Sequence, residues 1–209
     1  MWSRDKCNSE SLLFVGRFDA LKGGDLVLHA FAQLAETRPR LKLTFVGPDR
    51  GLARANEHLP LSQFVRENIP EAVRSRIDFR GQLSHSEVSS LRTQHFVTIV
   101  ASRYETQPYA VMETLSRGCP LVATAVGGIP EFVTDHHNGL LVPSENVDAL
   151  ASACKLLLEN KDLAARMGRQ AWIRCRELYS PESIAKQTIS AYQDAIDAAK
   201  RAPSFRLSP

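Results

Sequence analysis

No stretch of the 209-residue chain approaches the ~20 consecutive apolar residues that a membrane-spanning helix needs. The opening residues, Met1-Trp2-Ser3-Arg4-Asp5-Lys6, carry no apolar signal core, so nothing in them directs export and a cytoplasmic location is expected. Cysteine is sparse. Cys7, Cys119, Cys154 and Cys175 form no Cys-x-x-Cys pair, and none stands near a histidine at metal-ligand spacing. Free thiols, two or three of them in the core, are therefore expected rather than a disulfide framework. The Gly-x-Gly-x-x-Gly fingerprint of dinucleotide binders is absent, which disfavours an oxidoreductase, and no loop ends in the Gly-Lys-Ser/Thr of a phosphate-binding Walker loop. There is no Asp-x-Asp to clamp a metal, and the adjacent His136-His137 sits on an expected turn, where it reads as exposed polar surface. Neither an internal repeat nor a low-complexity stretch is present. Charge is also modest: a net +3 and a pI of about 8.7 suit an anionic ligand but are too weak to indicate nucleic acid.

With 44% hydrophobic and 23% charged residues, the chain reads as a globular domain with enough interior for a sizeable core. Short apolar runs alternate with amphipathic segments, the pattern of a mostly parallel sheet of about six strands with helices on both faces, a Rossmann-like α/β three-layer sandwich. The expected strands are Ser11–Gly16, Leu41–Gly47, Arg76–Gly81, Phe96–Ala101, Pro120–Ala125 and Gly139–Val142, rich in the Val, Leu, Ile and Phe of doubly covered strands. Leu26, Val27, Ala30, Phe31 and Leu34 recur at helical spacing and predict a helix over Asp25–Thr37. Ser84 and Glu87 form a candidate capping box that opens a helix to about Thr93. Pro108 is suited to start another, with Gly118 as its stop.

The last third shows three helical stripes, the third through Ile184, Thr188, Tyr192 and Ala195, all read as packing surfaces. Residues 48–75 look least regular. The expected organisation is a lead-in over 1–10, one ligand-binding domain over 11–200 and a loose tail over 201–209.

Three segments carry chemistry. The loop Gly16-Arg17-Phe18-Asp19-Ala20-Leu21-Lys22-Gly23-Gly24 puts two cations beside a strand end and a helix N-terminus, a setting that attracts anions. Arg17 offers phosphate a planar fork of donors, Lys22 a point charge, and the glycines a close backbone approach. The second segment, Glu105-Thr106-Gln107-Pro108-Tyr109-Ala110-Val111-Met112-Glu113, begins in the loop at the C-terminal edge of the sheet, where open α/β sheets bind ligands. Glu105 and Glu113 are then one loop acceptor and one helix acceptor facing different parts of a long ligand. The third, Gly127-Gly128-Ile129-Pro130-Glu131, is a backbone nest before a proline-started helix near the same edge.

In this order and spacing the three segments resemble the C-terminal domain of family 4 (GT4, or group 1) glycosyltransferases of the GT-B fold, over about residues 11 to 200. "LLFVGRFDALKGGDLVLHAFAQL" is similar to that family's first strand and phosphate loop, "RIDFRGQLSHSEVSSL" to its base-binding turn, and "ASRYETQPYAVMETLSRGCPLVATAVGGIPEFVTDHHNGLLVP" to its signature block. The resemblance implies that Arg17 and Lys22 hold the diphosphate of a nucleotide-sugar donor and that Glu105 contacts the sugar. Glu113 would accept from the ribose, the backbone at Arg80 and Gly81 would meet the base, and the amides after Glu105, with Gly16, Gly23, Gly127 and Gly128, would complete the cradle. It further implies retaining transfer without metal or other cofactor, an acceptor-binding N-terminal domain that this chain does not contain, and little activity without that domain.

The commonest family version follows the first glutamate with Gly-Phe-Gly, where this chain has Thr106-Gln107-Pro108, and Pro108 removes one amide donor. Two other readings share the architecture: a non-catalytic nucleotide-sugar-binding module, and a sugar-nucleotide isomerase or hydrolase that needs no acceptor. Arg166, Arg169, Arg174 and Arg176 read first as a solvated helix face, and second as a strip for peripheral contact at the inner membrane face.

Overall fold

The computed structural model describes residues 1–54 and 57–201. They divide into a large unit, Met1–Trp172, and a small one beginning at Ile173. The large unit is built on six parallel strands: β1 (Asn8–Val15), β2 (Lys42–Val46), β5 (Ile77–Gly81), β6 (His95–Val100), β7 (Leu121–Thr124) and β8 (Leu140–Val142). Their order in the sheet is β5-β2-β1-β6-β7-β8. The register is direct where the core is deepest, with Leu12 opposite Leu43 and Phe14 opposite Phe45. Each expected strand is present within a few residues of its reading.

The helices cover both faces. On one, Leu12, Phe14, Leu43 and Phe45 pack with Phe31 of α1 (Gly24–Thr37) and with Leu150 and Cys154 of α7 (Val147–Glu159). On the other, Val100, Leu121 and Ala123 meet Val111 and Leu115 of α5 (Tyr109–Ser116) and Ile129 of α6 (Ile129–Phe132). Each fully buried side chain of this kind stabilises the fold by about 1.5–3 kcal/mol. The capping box at α4 (His85–Gln94) is formed, with the Ser84 amide donating to Glu87 and the Ser84 hydroxyl accepting from the Glu87 amide. Pro108 is the N-cap of α5, and Gly118 follows it in a left-handed conformation, φ 69°.

Three features differ from the sequence reading. The segment 48–75 holds a small hairpin, β3 (Leu52–Arg54) with β4 (Glu57–Leu59), and two short helices, α2 (Leu61–Asn68) and α3 (Glu71–Arg74). Within the expected lead-in, Asn8–Glu10 already belong to β1, the Trp2 ring is buried against Phe96, and its Nε1–H donates to the His95 carbonyl at 2.9 Å. The small unit contains the end of α8 (Lys161–Leu178) and α9 (Pro181–Arg201), and α9 has no buried residue. Ile184 and Tyr192, expected on a packing stripe, are exposed, as are Ile189 and Ile196. The expected tail, apart from Arg201 at the end of α9, falls outside the described residues. No described helix is long and apolar enough to cross a membrane.

All four cysteines are free, and Cys119 and Cys154 are buried. Burial pushes both of these thiols up to about 12, leaving a thiolate fraction of roughly 1 in 10,000 at pH 8. Burial raises Cys7 and Cys175 as well, but both stay partly exposed. Iodoacetamide at pH 8 is therefore expected to label Cys7 and Cys175 in the folded chain and all four cysteines in urea, counted by intact mass. Rapid native labelling of Cys119 or Cys154 would contradict this packing.

Candidate functional site

The strand order fixes where a ligand can enter. From β1 the chain winds through β2 to β5 on one side, then crosses to β6 and winds through β7 to β8 on the other. The connections after β1 and β6 therefore diverge and leave a crevice at the C-terminal ends of these two neighbouring strands. Lys22 lies in the first connection and Glu105 in the second. Their side chains meet across that crevice, Lys22 Nζ to Glu105 Oε2 at 2.6 Å.

Both are largely shielded, with side-chain exposures of 29% for Lys22 and 11% for Glu105, so the pair is a fixed feature rather than a mobile surface contact. It lines a hollow together with Phe14, Ser102, Gln107 and Tyr109. The hollow measures about 190 Å³, below the ~300–1,000 Å³ of a complete small-molecule site, and so suits one part of a larger ligand.

Local chemistry holds each partner in place. The Asp19 carboxylate accepts from the amides of Leu21 and Lys22 at 3.0 and 2.9 Å and from Arg17 Nε at 2.6 Å. Burial pushes the Asp19 carboxyl up, but the Arg17 bond and these two amides outweigh it and hold it below the usual carboxylate range. Gly23, the N-cap of α1, has φ 66°, and a Cβ there would lie 1.9 Å from the Ala101 carbonyl oxygen. Only glycine lets the start of α1 approach the end of β6 this closely. No side chain caps that helix start.

Behind Glu105, Arg103 forks onto Asp25 at 2.9 and 2.7 Å and also binds Glu145, and these bonds raise its pKa further. Arg103 thus fastens the loop after β6 to the first turn of α1. Ser102 Oγ donates to Glu105 Oε2 at 3.4 Å, and its own carbonyl accepts from Thr124 Oγ1 at 2.6 Å.

The remaining expected residues are placed as follows. Glu113 is not in the Lys22–Glu105 hollow. It lines a neighbouring one of about 70 Å³ with His85, Ser89 and Arg92. Tyr109 and Ala110 line the first hollow, and Glu113 lies three to four residues further along α5, on the same face, so the two hollows are about one helical turn apart. Arg17, bound to Asp19, and Arg80, bound to Asp78 at 3.2 Å, line neither. The two glutamates thus line two hollows rather than one, because Glu105 sits in the loop before α5 and Glu113 one turn inside the helix.

Gly16 closes β1 beside the Lys22 loop, its amide donating to the Val46 carbonyl at 2.9 Å. Gly81 ends the edge strand β5, and its carbonyl accepts from the Gly47 amide at 2.8 Å. Thr106 and Gln107 are exposed and Pro108 is buried. Gly127 and Gly128 lie against the backbone of Glu105 and Thr106, and the Gly128 amide donates to the Glu105 carbonyl at 3.1 Å. This amide is engaged within the protein, so the glycine pair acts first by holding the Glu105 loop.

Sequence reading missed Asp19, Arg92, Ser102 and Arg103, whose partners are set by the fold or by local loop closure. A second basic hollow stands at the opposite edge, where Arg40, Lys42, Arg76 and Lys161 gather near the amino ends of β1, β2 and β5.

A doubly wound sheet with a crevice at its switch point defines a class of ligand-binding α/β domains. Comparison with known proteins narrows it: residues 4–173 match the family "Glycosyl transferases group 1", and the chain belongs to that family. It is 31% identical over 195 residues to D-inositol 3-phosphate glycosyltransferase of Streptomyces coelicolor, covering 90% of this chain and 41% of that protein. The chain thus spans less than half the length of this relative. Sucrose-phosphate synthase of Thermosynechococcus elongatus superposes with a TM-score of 0.73 at 29% identity, over 90% of this chain and 46% of that one. Anabaena HepE in complex with UDP superposes with a TM-score of 0.72 at 20% identity, over 88% and 49% of the two chains, a likeness of fold.

Proposed function

We propose that this chain is the donor-binding half of a retaining GT4 glycosyltransferase, which holds a nucleoside-diphosphate sugar at the crevice between β1 and β6. The observation that carries this reading is the Lys22–Glu105 pair at the switch point of the sheet. A UDP complex in a protein of the same fold supports it. In transfer, negative charge grows on the departing diphosphate. Lys22 and the uncapped start of α1 would stabilise that charge, and Arg17 would join them once released from Asp19. This arrangement assigns no step to a metal. Glu105 would accept hydrogen bonds from sugar hydroxyls and orient the ring. Glu113, one turn further along α5, would take the ribose, and the turn at Arg80 and Gly81 the base. The acceptor would be held by a second domain, of the kind that the family resemblance implies.

The test is a thermal-shift screen of the 209-residue chain against UDP-, GDP- and ADP-glucose. One base series is expected to raise the melting temperature, by an amount equivalent to about 2.7 kcal/mol at a hundredfold excess over Kd. A folded chain that none of the three stabilises would contradict the reading.

A further inference from the structure

We propose that Arg92 is a positioning residue that presents the Glu113 carboxylate to the ribose diol of the bound nucleotide. The inference rests on the reading that the site takes a nucleoside diphosphate. Arg92 is on α4, and only 1% of its surface is exposed, among the largest fully buried side chains of the described residues. A guanidinium withdrawn from water must be paired, because its desolvation is otherwise uncompensated. Its partners are consecutive residues of α5: Nη2 donates to Glu113 Oε2 at 2.5 Å, and Nη1 to Thr114 Oγ1 at 3.4 Å. Thr114 Oγ1 in turn donates to the Ala110 carbonyl at 2.6 Å. The Arg92 carbonyl accepts from Cys119 Sγ at 3.2 Å, which ties the end of α4 to the turn after α5.

The pair is asymmetric in a way that a purely structural ion pair need not be. The arginine side chain is 2% exposed, whereas that of Glu113 is 36% exposed. One carboxylate oxygen is held by a buried cation. The other, Oε1, lies 3.4 Å from Nδ1 of His85, and both residues line the 70 Å³ hollow. A charge-assisted bond from a rigid, buried donor fixes the carboxylate rotamer before a ligand arrives and leaves an acceptor aimed outward. Glu113 lies one turn along α5 from the Lys22–Glu105 hollow, so a ligand with its diphosphate at Lys22 brings its next unit, the ribose, to that acceptor.

The experiment compares a nucleoside diphosphate with its 2′,3′-dideoxy counterpart by calorimetry. UDP, GDP and ADP are titrated into the 209-residue chain, and the tightest is carried forward. The wild-type chain is expected to prefer the full ribose by about 10- to 100-fold, the worth of hydrogen bonds to a charged acceptor. Glu113→Gln marks the reduced preference without that charge. Arg92→Met is expected to bring the preference to within about threefold of unity while leaving dideoxy binding nearly unchanged. Arg92→Lys, which keeps the charge but reaches only one of the two acceptors, is expected to fall between and guards against failure of the methionine variant to fold.

Equal loss for both ligands, or a preference unchanged in Arg92→Lys and Arg92→Met, would show that Arg92 only fastens α4 to α5 and would overturn the proposal. Binding without any ribose preference in the wild type would remove the role of Glu113 and the proposal with it. Failure of all three diphosphates to bind would instead strike the donor-site reading on which it rests.

Discussion

Gly127→Ala is expected to lower the unfolding free energy of the chain by roughly 2–5 kcal/mol and to abolish tight nucleotide binding. Two costs combine. Gly127 has φ +50°, a left-handed conformation that costs an L side chain roughly 1–2 kcal/mol. The added Cβ would also fall 1.7 Å from the Glu105 carbonyl oxygen, so the loop that carries Glu105 has to move. The same displacement breaks the Gly128 amide bond to that carbonyl. Gly81→Ala separates the two costs. Its φ is +59°, but a Cβ there meets nothing within 4 Å, so only the conformational cost of roughly 1–2 kcal/mol applies. Urea unfolding of both variants checks the difference. Equal losses would mean that the Gly127 contact with Glu105 does not constrain the loop.

Lys22→Ala is expected to weaken nucleoside diphosphate binding by about 10- to 100-fold, the range for hydrogen bonds to charged groups. The variant deletes the point charge at the crevice and leaves the Glu105 carboxylate, 11% exposed, facing the incoming phosphates without its counter-charge. Glu105→Gln is expected to act in the opposite sense on the bare diphosphate. It removes a negative charge from beside the phosphate position and releases Lys22 from a 2.6 Å ion pair, so the diphosphate binds as well or better. The diphosphate sugar, by contrast, loses a charged acceptor for its hydroxyls and gains little or nothing over the bare diphosphate. Calorimetry with the matched pair of ligands reads both effects. Parallel weakening of both ligands in Glu105→Gln would contradict the separation of roles between Lys22 and Glu105.

The sheet was legible because buried parallel strands read as near-continuous apolar runs, broken here only by Thr44 and Thr98. Leu12–Phe14, Leu43–Val46 and Phe96–Val100 are runs of this kind, and the turns after them carry glycine or polar residues. The 48–75 segment was not, since three-residue strands such as Leu52–Arg54 are too short for periodicity to register, although Pro60 and Pro70 mark the starts of α2 and α3. Lys22 and Glu105 were each legible as site residues, but their contact spans 83 positions and exists only once the sheet is wound.

Arg92 left no signal, because most of its neighbours (Ser89, Ser90, Thr93 and Gln94, though not Val88 or Leu91) are polar and an arginine among them reads as surface. Its burial follows from the apposition of α4 to α5, which no local pattern encodes. Arg17 shows the converse. Its phosphate role was inferred from its place in a basic loop, yet Asp19, two residues on, engages its guanidinium.

The most direct measurement is a crystal structure of the 209-residue chain with the nucleoside diphosphate that stabilises it best. The account predicts a phosphate oxygen within ~3 Å of Lys22 Nζ at the β1–β6 crevice, with the ribose over Glu113. A diphosphate bound instead at the opposite edge of the sheet, in the hollow of Arg40, Lys42, Arg76 and Lys161, would contradict it.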